Sequence, residues 1–315
     1  MNTILIPPAR DLIEEISSRL INDGRDYSAN LITFPGKRPS HFLRRCLARK
    51  EKGGFIPPSI FSMDEFVDFI YDERLGLLNR KLESLDAVAI LHDIHRSSTK
   101  HIGGDAFITL DSFFPMGLKI YHDIEELYIE GVEPLLVKKI EPLTEENIPA
   151  KTLERLGFLS FFYEEFYKRL KSMNFSTRAF RYRVVSEKLG ETLLDNFNQI
   201  IFAGFFAFTK SEKVMIKKFP KMKNSILIFQ DGKRVRERIK ELDIDMETIT
   251  VNSEYGMKNA ELPEIHYYQS PDTHGQVFEL SGIIDRGKPA PASSKQGGEG
   301  ASLPLQAVSR GGKKL

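Results

Sequence analysis

Two sets of strand-like apolar runs, held apart by a long stretch of helical period, constrain this chain more than any other feature. Thr3-Ile4-Leu5-Ile6 ends at Pro7-Pro8, and Asn30-Leu31-Ile32-Thr33-Phe34 ends at Pro35-Gly36. Short continuous apolar runs stopped by Pro or Gly read as strands buried on both faces of a parallel sheet. Leu12, Ile13, Ile16, Leu20 and Ile21 recur at helical spacing between them. A second helix follows with Phe42, Leu43, Cys46 and Leu47 as its apolar face and Ser40 as its cap. Strand, helix, strand, helix in this order predicts a parallel α/β sheet.

From 61 to 195 nearly everything has a 3.6-residue period. Ser62 and Glu65 form a capping box for a helix over Met63–Asp72. Helices are predicted over Ser84–Arg96, from about Phe107 to Ile129, and over Leu153–Met173, with a charged linker around Glu133–Pro149. Ser176 or Thr177 caps a further helix running to Leu189. Strand character then returns in Gln199–Phe206 and Ser225–Phe229. Between them Thr209 and Glu212 box the start of a helix carrying Val214, Met215, Ile216 and Phe219. A basic helix over Arg234–Leu242, a strand over Glu264–Gln269 and a helix over Asp272–Ile284 complete the pattern. The reading is one split α/β domain, 1–60 plus 196–286, interrupted by a helical insertion at 61–195.

The residues 287–315 are of another kind. They hold six of the 22 Gly, no aromatic side chain, and five basic residues against one acid. Such a segment buries too little apolar surface to offset its ordering entropy, so it is expected to be a disordered tail. The abrupt change after Arg286 is what a truncated or shifted reading frame would give. The formal charge of +1 is thus a −3 body with a +4 tail, and says nothing about nucleic acid. A single cysteine, Cys46, excludes a disulfide framework and fits a reducing compartment. The N-terminus has no basic segment followed by a long apolar one, and no run of about 18 apolar residues occurs. A cytoplasmic protein without membrane contact is expected.

An α/β domain split by a helical insertion resembles the first motor domain of superfamily 1 helicases, domains 1A and 1B. The wording is similar to the AddB/RexB-type, RecC-like subunits of ATP-dependent helicase-nucleases, within the PD-(D/E)XK nuclease relatives. The stretches that carry it are ILIPPARDLIEEI, LITFPGKRPSHFLRRCLA, PPSIFSMDEFVDFIY, IIFAGFFAFTKSEKVMIKKF and SPDTHGQVFELSGII. The resemblance implies a P-loop NTPase-like parallel sheet, helicase 1A-like, with a 1B-like all-α insertion. It implies a role in double-strand break repair and recombination, with single-stranded DNA and an AddA-like helicase subunit, or downstream domains of a longer protein, as partners. Family members are much longer, so this chain would match only their N-terminal region.

Two of the three catalytic elements of such motors are missing from the residues, and at the third Phe229-Gln230-Asp231-Gly232 keeps Asp231, in an Asp-Gly pair that also reads as a turn. A phosphate cradle needs glycines and a Lys-Ser/Thr pair between the first strand and its helix, where this chain has Pro7-Pro8-Ala9-Arg10-Asp11. The later Pro35-Gly36-Lys37-Arg38-Pro39-Ser40 has one glycine, and Pro39 lacks an N–H that a phosphate would need. The acid pair that would hold magnesium is replaced after the third strand by Ala203-Gly204-Phe205-Phe206. The nearest carboxylate, Glu212, belongs to the capping box. No catalytic residue is assigned, and neither ATP nor magnesium is expected as a cofactor. Asp231-Gly232-Lys233 imitates half of a PD-(D/E)XK centre but reads as a β-turn. His92 and His95, with His101 nearby, have a spacing that can bind zinc, yet they fall on an ordinary amphipathic helix, so no metal site is assigned. Cys46 reads as a small core residue.

Basic clusters remain. Lys37, Arg38, Arg44, Arg45, Arg49 and Lys52 gather at the end of the second strand and on the polar side of the next helix. Phosphate neutralisation by such residues needs no exact spacing. In the resembled motors this region touches single-stranded DNA. Arg178, Arg181 and Arg183 with Phe180 and Tyr182 are secondary candidates, and Lys233, Arg234, Arg236 and Arg238 form a third cluster. The function expected is an inactivated helicase-like scaffold that holds single-stranded DNA without catalysis. The alternatives are a small-molecule enzyme on a doubly wound sheet with a helical cap, binding near Pro7-Pro8, Pro35-Gly36 and Gly204, or an inactive truncated product.

Overall fold

The computed structural model describes residues 2–98, 107–140, 150–190, 194–222, 224–242, 244 and 249–251. Within them the chain runs β1 (Asn2–Ile6), α1 (Leu12–Arg19), β2 (Asn30–Phe34), α2 (Arg38–Glu51), β3 (Ser59–Ser62) and α3 (Met63–Phe69). After a π-helical turn at Ile70–Arg74 come β4 (Arg80–Lys81), α4 (Ser84–Ser97), α5 (Leu110–Ile129), α6 (Pro134–Ile140), α7 (Ala150–Ser172), β5 (Phe175–Ser176) and α8 (Arg178–Lys188). The chain then re-enters the sheet with β6 (Gln199–Ala203), α9 (Lys210–Ile216), β7 (Ser225–Gln230), α10 (Lys233–Lys240) and β8 (Ile249–Val251). The strand and helix predicted at 264–284, and the tail, lie outside the described residues.

Among the described residues six strands form one sheet in the order β3-β2-β6-β7-β1-β8, and every pairing in it is parallel. The helical stretch between β3 and β6 therefore leaves the sheet beside β2 and returns beside β2 on its other side. All five residues of β2 and of β6 are buried, as a strand covered on both faces must be. Alternation sorts them. Ile4, Ile6, Ile32, Phe34, Ile201, Ala203 and Ile228 face a core closed by α1 and α2. Leu5, Leu31, Ile200, Phe202, Leu227 and Phe229 face the core of the helical layer. Phe66 of α3 meets Phe202 edge-on at 5.2 Å, and Phe219 lies 3.9 Å from Phe202, so aromatic packing joins that layer to the sheet.

Both predicted capping boxes are present: Ser62 with Glu65 at α3, and Thr209 with Glu212 at α9. Thr177 caps α8. Ser40 does not cap α2. The helix starts earlier, with Lys37 at the cap position, and the Ser40 hydroxyl donates to the Lys37 carbonyl at 2.5 Å. Pro39 fits inside the first turn because its missing N–H has no intrahelical partner there. The charged linker is corrected in part: Pro134–Ile140 is helical and is tied to α7 by Ser160, whose hydroxyl donates to the Pro134 carbonyl at 2.9 Å. β6 stops at Ala203 instead of the predicted Phe206, because Gly204 takes φ +77°, a left-handed turn that suits glycine. Among the described residues no helix is long and apolar enough to cross a membrane.

Candidate nucleic-acid interface

Because the sheet is parallel, the carboxyl ends of β1, β2, β6 and β7 share one edge, the usual ligand edge of open α/β sheets. The turns there are neighbours. A Cβ built on Gly204 would lie 3.0 Å from Leu12 Cδ2 and 4.0 Å from Pro35 Cδ. The amide of Asp231 donates to the Ile6 carbonyl at 2.7 Å.

The turn between β1 and α1 stands where a phosphate cradle would be. The N-terminus of a helix attracts anions through its free amides. Here the Asp11 carboxylate already accepts from the amides of Ile13 at 2.7 Å and Glu14 at 3.3 Å. An anion arriving there would meet a negative charge rather than free donors. Arg10 is also engaged: its guanidinium pairs with Glu15 at 2.6 Å, and Arg19 pairs with the same carboxylate at 2.5 Å, although Glu15 is only 2% exposed.

The next turn and α2 are the opposite in charge. Residues 37–52 hold seven basic side chains and one acid, Glu51. Glu51 is occupied, accepting from the Tyr27 hydroxyl and facing Arg25 at 3.8 Å. All six predicted contacts, Lys37, Arg38, Arg44, Arg45, Arg49 and Lys52, are exposed. Lys37 reaches Glu65 at 3.1 Å. The Ser62 amide, and then Lys37, hold that carboxylate below the usual glutamate range. The other five make no ion pair among the described residues. Leu43 and Leu47 bury the opposite face of α2 on the sheet, which fixes the basic face outward.

Sequence reasoning missed one residue here. Phe206 follows the Gly204 turn and is 66% exposed. Its neighbour Phe205 is buried and stacks on Phe208 at 5.9 Å, while Arg238 donates to the Phe206 carbonyl at 2.8 Å. The loop is thus anchored on both sides of an outward aromatic ring. With Pro8, Gly204, Gln230, Asp231 and Val235 it borders a cleft of about 280 Å³. An exposed ring after a buried strand leaves no periodicity signal, because GFFAF is uniformly apolar.

The secondary candidates are placed elsewhere and are committed to the protein. Arg181 is 4% exposed. It pairs with Asp68 at 2.9 Å and Asp72 at 2.8 Å, donates to Ser176 Oγ and the Asn79 carbonyl, and covers the Tyr71 ring at 4.7 Å. Arg178 pairs with Asp64 at 2.7 Å over the Tyr182 ring. Arg183 pairs with Glu133 at 2.5 Å over the Tyr128 ring. Acids and rings brought together by the helical layer compete for these charges, which spacing along α8 could not reveal. Of the third cluster, Arg236 grips both oxygens of Asp231 and holds its carboxyl below the usual aspartate range. That also removes Asp231 from service in a half nuclease site.

His92 and His95 lie inside the helical core. His92 Nε2 is 3.1 Å from the Ile108 carbonyl, and His95 stacks on Phe113 at 5.2 Å. Among the described residues no group of three His, Cys, Asp or Glu side chains could hold a metal, and His101 lies outside them. Cys46 is not a core residue. It is half-buried beside Glu14, 3.5 Å away, and Phe42, read as part of the apolar face, is 58% exposed. No protein-family profile matches this chain, and no curated protein matches it.

Proposed function

We propose that this region is a non-catalytic, helicase-like scaffold that binds single-stranded DNA along the carboxyl edge of its sheet. The observation that carries the reading is the contrast between two adjacent helices: α1 has its amides filled by Asp11, while α2 exposes a basic face whose arginines make no ion pair among the described residues. Phosphates along a strand would lie against Arg38, Arg44, Arg45 and Arg49, and a base could stack on Phe206. The parallel sheet, split by the helical insertion, supports a P-loop-like origin in a helicase 1A/1B motor of the AddB type. In that reading an AddA-like subunit or further domains act as partners, and break repair is the setting. The filled α1 amides argue against the small-molecule alternative at Pro7-Pro8 where the ligand is a phosphate.

Fluorescence anisotropy with a labelled oligonucleotide tests this. Binding should weaken with salt, and the triple substitution Arg44→Glu, Arg45→Glu, Arg49→Glu should abolish most of it. Removing three phosphate contacts from a single strand should lower the slope of log affinity against log salt by about 2. ATP hydrolysis that disappears in Lys37→Ala would overturn the non-catalytic reading. Salt-independent binding, or none, would overturn the DNA reading.

A further inference from the structure

On the outer face, away from the helical layer, α1 and α2 lie side by side and leave a groove of about 570 Å³. Asp11, Ile13 and Glu14 form one wall, and Phe42, Arg45, Cys46, Arg49 and Lys50 the other. The walls carry opposite charge, yet no ion pair joins them among the described residues. Asp11 is used as the cap of its own helix, and the Lys50 ammonium donates to the Ser17 carbonyl at 3.2 Å. Between the walls the half-exposed Ile13 and the exposed ring of Phe42 supply an apolar strip.

We propose that this groove is a self-association surface, whose occupant is the same groove of a second copy. A two-fold axis along the groove sets α1 of one copy over α2 of the other. Asp11 and Glu14 of each then face Arg45 and Arg49 of its partner, twice over, and the two Phe42 rings meet near the axis. Such an isologous match follows when one patch carries both signs at the same height, since each wall is its own partner's complement. Any other single-charge partner would satisfy one wall and repel the other. The face is small, so the dimer is of the weak, charge-steered kind. It uses Arg45 and Arg49, so DNA and the second copy compete for them, but the inference does not rest on DNA binding.

Sedimentation equilibrium of the full 315-residue chain at low salt tests it. A concentration-dependent monomer–dimer equilibrium is expected, weakening about tenfold or more when salt shortens the screening length from about 30 Å to about 8 Å. Glu14→Lys alone and Arg45→Glu alone should each weaken association about tenfold or more, and the double substitution should restore it. Melting curves matching the wild type would show that the single variants fold. Alkylation of the Cys46 thiol should slow as protein concentration rises. A monomer at every concentration, a dimer indifferent to both single substitutions, or Cys46 alkylation that ignores dimer formation would each overturn the proposal. Addition of oligonucleotide should return the dimer to monomer. If it does not bind, the DNA reading fails while the charge-swap result still decides this one.

Discussion

Arg181 shows how far a side chain's role depends on what the fold brings to it. Its guanidinium is buried against Asp68 and Asp72, which sit one turn apart where α3 widens into the π-helical turn. It also ties down the short β4–β5 contact through Asn79 and Ser176. Removing a buried partner leaves its donors and acceptors unsatisfied, which costs about 3–5 kcal/mol for fully buried pairs. Asp68 and Asp72 retain a third to a half of their exposure, so water offsets part of that loss. Arg181→Ala should therefore lower stability by about 2–3 kcal/mol in a denaturant titration, and leave the intrinsic DNA affinity of the folded fraction unchanged. A second residue-scale prediction concerns Gly117. A Cβ there would lie 2.6 Å from Phe113 Cε1 and 2.8 Å from Val88 Cγ1, where α5 crosses α4. Both atoms belong to buried side chains that are already packed. Gly117→Ala should cost about 1–3 kcal/mol by overpacking, despite the better helix propensity of alanine, and thermal melting would show it.

At the scale of elements, the parts most legible in the residues are those decided locally. Capping boxes need only two side chains three apart, and both appeared where Ser62-Glu65 and Thr209-Glu212 stand. Strands buried on both faces announce themselves as apolar runs; β2, β6 and β7 began where those runs do, and β1 one residue earlier, at Asn2. What was not legible depended on partners distant in sequence. β3 is four residues long and exists because β2 offers it an edge, while β4 and β5 are pairs of residues joined across 94 positions. The basic face of α2 was legible as residues, but that its arginines make no ion pair among the described residues was not. Nor was the loss of Arg178, Arg181 and Arg183 to acids of α3 and of the segment before α6. The cap of α1 gives an element-scale prediction. Asp11→Ala frees the amides of Ile13 and Glu14 and should destabilise the protein by about 1 kcal/mol. Without a glycine turn or a lysine it should gain no measurable ATP binding in a calorimetric titration.

At the scale of the whole molecule, two groups of carboxyls among the described residues have opposing responses to pH. Asp64 is pushed up by burial, but the Tyr182 hydroxyl and the Arg178 guanidinium outweigh this and hold it below the usual range. Glu65 and Asp231 are also held low, by the Ser62 amide and by Arg236 respectively. A depressed carboxyl stabilises the fold above its unfolded pKa, and that contribution is lost as pH falls through its folded value. Glu125 behaves in the reverse sense. It is half-buried between α5, α7 and α8, where burial pushes its carboxyl up although Thr177 Oγ1 at 2.6 Å, the Tyr167 hydroxyl at 2.5 Å and the Ala179 amide at 3.0 Å all donate to it. Burial likewise raises Glu212, against its own capping bonds. The folded state then binds protons more tightly than the unfolded chain at these sites. Their protonated forms stabilise fully below the ordinary glutamate value, and this contribution is lost as pH rises through the raised folded values. Glu125→Gln isolates the effect. The glutamine carbonyl can accept from the Ala179 amide, and its NH2 can donate to the Tyr167 and Thr177 hydroxyl oxygens, which turn to accept. The variant should keep the fold, with stability at neutral pH equal to or above the wild type. As pH falls from neutral toward the ordinary glutamate range, the wild type should gain on the variant. A stability difference that stays constant over that range, or that moves the other way, would show that Glu125 is held ionised by its three donors.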